Sequence, residues 1–138
     1  MGMQHKNSRR RKRDATMLTE TELEIMTLLW EAREGSVRDL IGMLPEQRQL
    51  AYTTVSTMLR ILEEKAVVGS RKQGRGHIYF PLIPKREYER KSVRRLVEGV
   101  FAGTPLAMVR SLLETDQLSE RELQEIRRML DERLEKDG

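Results

Sequence analysis

The chain contains no cysteine, which removes disulfides and thiolate-based metal or redox chemistry outright. It has only two histidines, His5 and His77, far apart in sequence, and two isolated imidazoles do not close a metal site unaided. No apolar run approaches the roughly 18 residues of a membrane span. The basic N-terminus is followed by Asp14, Thr16 and Glu20 rather than by the apolar stretch of a signal peptide, so a cytoplasmic protein is expected. Also missing are any Ser/His/Asp grouping, phosphate loop or metal-ligand spacing that would support an enzyme. The expectation is a protein with no catalytic residues, no metal and no cofactor.

What is present is charge, unevenly placed. At 138 residues, with 38% apolar and 35% charged residues, the chain suffices for one small core, or one core with a helical appendage. The net charge of +4 divides into +6 over residues 1–13, −5 over 14–50, +7 over 51–95 and −4 over 96–138. A central basic band is what phosphate neutralisation requires. The acidic C-terminal third is not expected to face a polyanion.

Residues 1–16, with five consecutive basic residues from Arg9 to Arg13, read as a disordered basic arm. Thr19 and Glu22 have capping-box spacing, and Leu23, Ile25, Met26, Leu28, Leu29 and Trp30 follow as a strongly apolar helix ending before Gly35. Ser36 caps a shorter helix through Val37, Leu40, Ile41 and Leu44 that Pro45 stops. A third helix is expected from Ala51 to Ala66. The stretches Val67 to Lys72 and His77 to Leu82 read as two strands joined by a turn containing Gly74 and Gly76. The fold class is therefore mainly α with a small β wing, with a winged helix-turn-helix over residues 17–84. Residues 85–138 are expected to form three further helices, Arg86 to Phe101, Pro105 to Leu113 and Ser119 to Lys136. Their apolar stripes run through Tyr88, Val93, Leu96, Val97, Val100 and Phe101, then Leu106, Val109, Leu112 and Leu113, then Leu123, Ile126, Leu130 and Leu134. A segment of about 55 residues buries three such stripes poorly alone, and pairing with a second copy into a symmetric homodimer is the economical solution.

The third helix carries the chemistry. At 3.6 residues per turn, Ala51, Val55, Met58, Leu59, Leu62 and Ala66 share one arc, while Thr53, Ser56, Thr57 and Arg60 point the opposite way. Thr and Ser at consecutive exposed positions weaken a helix without local benefit. Small hydroxyls with one guanidinium let a backbone approach a DNA major groove, where Arg60 can bridge guanine and threonine methyls can meet thymine. Tyr52 and Thr54 lie at the edges of these faces and at the helix start, a place suited to a capping or phosphate role; for Tyr52 core packing is at least an equal alternative. Arg71, Lys72 and Arg75 place cations on the wing, suited to phosphates or a minor groove. The glutamates of the last helix, Glu122, Glu125 and Glu132, read as surface partners of Arg121, Arg128 and Arg133. Three other readings stay open on these residues: a ligand-relieved winged-helix regulator, a protein-interaction module, and an architectural binder of any duplex.

The segments LTETELEIMTLLW from Leu18 to Trp30, AYTTVSTMLRILEEKAVV from Ala51 to Val68 and GRGHIYFP from Gly74 to Pro81 resemble the penicillinase-repressor family of BlaI/MecI/CopY type, over roughly residues 17–136. The resemblance implies a winged-helix repressor, dimeric through its C-terminal helices, seated on a palindromic operator of double-stranded DNA. By matching positions, Thr53, Thr54, Ser56, Thr57 and Arg60 would read the DNA. In the best-known members a membrane-bound β-lactam sensor triggers cleavage in the first dimerisation helix, commonly between asparagine and phenylalanine. Aligning on Val100 and Phe101 puts that bond between Arg95 and Leu96, where the asparagine is missing. A copper-responsive branch uses C-terminal cysteine pairs, which this chain lacks.

Overall fold

The computed structural model describes residues 17–137, and the basic arm expected at 1–16 lies outside the described residues. Helix α1, Glu20–Ala32, starts where local chemistry dictates. The Thr19 hydroxyl accepts from the Glu22 amide at 3.2 Å, and the Glu22 carboxylate accepts from the Thr19 amide at 2.8 Å, satisfying two end amides reciprocally. Helix α2, Val37–Met43, opens on the same device built from Ser36 and Asp39. It stops at Leu44, whose extended backbone (ψ 143°) is what a following proline demands.

Helix α3 spans Tyr52–Glu64, shorter at both ends than the expected Ala51 to Ala66. Ala51 is the N-cap, and Ala66 has left the helix with φ of +63°. The Val67 amide donates to the Leu62 carbonyl at 3.2 Å and the Ala66 amide to the Glu63 carbonyl at 3.0 Å. This is the two-bond Schellman closure, here with alanine where glycine is usual. Leu62 and Val67, both buried, supply the apolar contact that accompanies it.

Strands β1, Val68–Gln73, and β2, Gly76–Pro81, pair antiparallel, each displaced by about one residue from the expected limits. The register sets Val68 against Pro81, Ser70 against Tyr79 and Lys72 against His77. Two residues, Gly74 and Arg75, close the hairpin, and the positive φ of Gly74 (+61°) is what a type II′ turn requires at its first position. Gly35 extends the ladder by exchanging two backbone hydrogen bonds with Tyr79, at 2.9 and 3.0 Å.

Ile25, Met26 and Leu29 of α1, Val37 and Leu40 of α2, Val55, Leu59 and Leu62 of α3, and Val67, Val68, Tyr79 and Ile83 enclose one core. Each such side chain contributes roughly 1.5–3 kcal/mol on burial. Helix α4, Lys85–Gly99, follows. Tyr88, expected in the dimerisation stripe, instead belongs to this core. It is 9% exposed, its ring lies 5.7 Å from that of Trp30, and its hydroxyl accepts from the Leu18 amide at 3.2 Å. The Trp30 indole donates to the Ile83 carbonyl at 2.9 Å. The first compact unit runs to Ser92, inside α4.

The second unit begins at Val93 and holds the end of α4 with α5, Pro105–Glu114, and α6, Glu120–Asp137. Pro105 occupies the first turn of α5, where its missing amide costs nothing. Ser119 and Glu122 cap α6, and Arg128 pairs with Glu125 and Glu132 on its surface. Among the described residues of this unit only Val97 is buried. Leu96, Val100, Leu106, Val109, Leu112, Leu113, Leu123, Leu130 and Leu134 are exposed, with Phe101 and Ile126 half-buried. No helix among the described residues is long and apolar enough to cross a membrane.

Candidate nucleic-acid interface

Helix α3 fixes the interface by burying one side completely. Val55, Leu59 and Leu62 are inaccessible to solvent, so Thr53, Thr57 and Arg60 emerge on the opposite side, all exposed. Ser56 and Thr54 sit on the two flanks, half-buried. Arg60 makes no ion pair among the described residues, leaving its planar donor fork uncommitted. Unlike α1 and α2, α3 has no side-chain cap, because Ala51 offers no oxygen to its first amides. An uncapped helix start leaves amides and a positive dipole end for an anion.

The wing cations divide between the faces of the hairpin. Side chains alternate along a strand, and Ser70 marks the face turned to α3, since its hydroxyl donates to the Glu63 carboxylate at 2.6 Å. Lys72, two residues on, and its cross-strand partner His77 share that face. Arg71 occupies the other face and donates to both Glu34 carboxylate oxygens, at 2.6 and 3.1 Å. Its guanidinium beside Glu34 holds that carboxyl below its ordinary range. Arg75 stands exposed at the tip. The structure therefore gathers Lys72 on the α3 side and commits Arg71 to an internal partner.

Two contacts hold α3 in place. Lys65, at its C-terminal end, donates to both carboxylate oxygens of Glu22 at 2.7 and 2.8 Å. Glu22 is 2% exposed; burial raises its pKa, but the hydrogen bonds from Lys65 and Thr19 outweigh that and hold the carboxyl below its ordinary value. On the wing side Tyr79 is buried in the same core as Val55, Leu59 and Leu62. Burial, then the nearby Glu63 carboxylate, push its hydroxyl pKa up against the opposing pull of Arg60.

The sequence left Tyr52 between alternatives and gave no reading of Arg38 or Glu34. Tyr52 faces outward, 51% exposed, rather than into the core, and the Arg38 guanidinium lies over its ring at 5.7 Å. The only signal for Arg38 was its place beside the buried Val37 on α2. Glu34 carried no local signal, since its partner lies 37 residues away.

The family model described as penicillinase repressor matches residues 18–132. The chain belongs to the penicillinase repressor family. The penicillinase repressor of Bacillus licheniformis is 30% identical over 115 residues, covering 83% of this chain and 90% of that one. The methicillin resistance regulatory protein MecI of Mammaliicoccus sciuri is 22% identical over 116 residues, covering 84% and 94%. Among solved structures, the DNA-binding domain of the repressor BlaI has 28% identity and a TM-score of 0.47, covering 52% of this chain and 88% of that one. The monomeric form of BlaI from Bacillus licheniformis in complex with the blaP half-operator has 27% identity and a TM-score of 0.45, covering 53% and 89%. As a penicillinase-repressor family member, the chain is a DNA-binding transcriptional repressor and not an enzyme.

Proposed function

We propose that the chain acts as a cytoplasmic homodimer that sets two α3 helices on the half-sites of a palindromic operator and so blocks transcription. Thr53, Thr57 and Arg60 read base edges, with Ser56 and Thr54 at the margins; Lys72 and Arg75 hold phosphates. The observation that carries the dimer is the apolar surface of the second unit, where Val100, Leu106 and Leu134 are 75%, 63% and 70% exposed. Contiguous apolar surface is rare on a monomer, and a closed two-fold pairing covers the same patch on both copies. Two-fold protein symmetry then implies half-sites about one helical turn, roughly 34 Å, or a multiple apart.

The names of the relatives, penicillinase repressor and methicillin resistance regulatory protein, support a target among genes answering β-lactams or envelope stress. Relief by a membrane-bound sensor protease at the Arg95–Leu96 bond belongs to the same reading. That bond lies inside α4, so cutting it requires local unwinding of the helix. Sedimentation at micromolar concentration tests the dimer, and a monomer there contradicts it. Binding to a symmetric site tighter than to either half alone is the matching DNA result.

A further inference from the structure

We propose that Arg38 and Tyr52 form a phosphate clamp beside the recognition helix, with Arg38 contacting the DNA backbone and Tyr52 acting as its positioning residue. The proposal rests on the reading of α3 as the DNA-facing helix and adds a contact from a different element, α2. Arg38 is exposed, makes no ion pair among the described residues, and lies 5.7 Å from the centroid of the Tyr52 ring. That distance is within the range of cation–π attraction. Asp39, the neighbouring carboxylate, is committed to the capping box, accepting from the Ser36 amide at 3.0 Å, so it does not neutralise Arg38. Tyr52 opens α3 one residue before Thr53, so the guanidinium over its ring sits at the edge of the face that carries Thr53, Thr57 and Arg60.

The arrangement has a physical logic. A free arginine samples many rotamers, and ordering it on a phosphate costs entropy, whereas a guanidinium already laid on an aromatic ring loses less. Attraction to the ring face occupies no N–H donor of the guanidinium and leaves them for phosphate oxygens in a forked geometry. In a helix-turn-helix the first helix of the pair crosses the DNA backbone, which is where α2 carries Arg38. A contact of this kind sets register and affinity without reading sequence.

The test uses the full chain, and its salt-slope measurement uses a random-sequence duplex, so that measurement does not depend on knowing the operator. Each phosphate contact contributes about 0.9 to the slope of log affinity against log salt. Arg38→Ala and Arg38→Gln are expected to lower that slope by about 0.9 per protomer, roughly 1.8 for a dimer. At that slope the wild-type advantage shrinks roughly twelvefold between about 50 and about 200 mM salt. The preference for a selected operator over random duplex is expected to stay the same. Tyr52→Phe keeps the ring and is expected to bind as wild type. Tyr52→Ala is expected to lose affinity several-fold in the wild-type chain, and little in the Arg38→Ala background. An unchanged slope in both Arg38 variants overturns the clamp, as does an equal loss for Tyr52→Ala in the two backgrounds. If wild type shows no preference for any sequence while the Arg38 variants still lower the slope, the repressor reading fails and the clamp stands.

Discussion

Replacing Lys65 by methionine tests how α3 is held. The substitution keeps the length of the stem but leaves the Glu22 carboxylate, 3% exposed at its side chain, without the ammonium that donates to both its oxygens. Breaking a fully buried ion pair costs about 3–5 kcal/mol, and an exposed one about 0–1 kcal/mol. Lys65 is a quarter exposed and Glu22 keeps its bond to the Thr19 amide, so about 2 kcal/mol is expected. The fluorescence of Trp30, the sole tryptophan, reports the winged-helix unit specifically. With a urea dependence of about 1–1.5 kcal/mol/M, the midpoint should fall by roughly 1.5 M. In a Glu22→Gln background the same substitution should cost far less, because no buried charge is left behind. The pH dependence has a defined sign. Since folding lowers the Glu22 pKa from 4.5, its contribution is intact above that value and is lost as pH falls through the lower folded value. Lys65→Met should therefore lose less stability than wild type on acidification below about pH 4.5. A midpoint shift under about 0.3 M, or equal costs in the two backgrounds, would show that the Lys65–Glu22 pair does not hold α3.

Three further outcomes follow from the geometry. Ala66→Gly should stabilise the winged-helix unit by about 0.5–1 kcal/mol in urea unfolding, since glycine adopts the left-handed conformation at φ +63° without strain; destabilisation would contradict the Schellman assignment. Lys72→Ala should lower the salt slope of DNA binding by about 0.9 per protomer, while Arg71→Ala, on the other wing face and tied to Glu34, should leave it nearly unchanged; equal effects would contradict the division of the wing. A fragment of residues 17–92 should unfold at higher urea than one of residues 17–84, which lacks Tyr88 and its contacts with Trp30 and Leu18. Identical midpoints would show that Tyr88 is not part of the core.

What the sequence made legible was local chemistry. The capping-box spacing of Thr19 and Glu22 and the cap at Ser36 could be read directly, with Asp39 completing the second box in the structure, and the buried arc of Val55, Leu59 and Leu62 followed from helical periodicity alone. The end of α3 could not be read the same way, because Ala66 carries no glycine signal and the closure depends on Leu62 meeting Val67. Tyr88 fits the apolar stripe of α4 by period, yet the stripe's first turn packs on Trp30 while later positions such as Leu96 are exposed, and the helix ends at Gly99, before the expected Val100 and Phe101. Periodicity names a face without naming its partner. The wing shows the same limit. Arg71 and Lys72 are adjacent and chemically alike, and only the strand pleat and a glutamate 37 residues upstream separate them.

The central claim is that α3 reads a specific sequence through its exposed hydroxyls and Arg60. The most direct measurement is selection of binding sites from a random duplex pool at about physiological salt, followed by affinity for the selected and scrambled duplexes in wild type, Thr57→Ala and Arg60→Ala. The expected result is a two-fold symmetric winner bound some 10³–10⁷ times more tightly than scrambled DNA, with a ratio that falls in both variants while their unfolding midpoints stay near wild type. No enrichment, or an undiminished ratio in both variants, would contradict it.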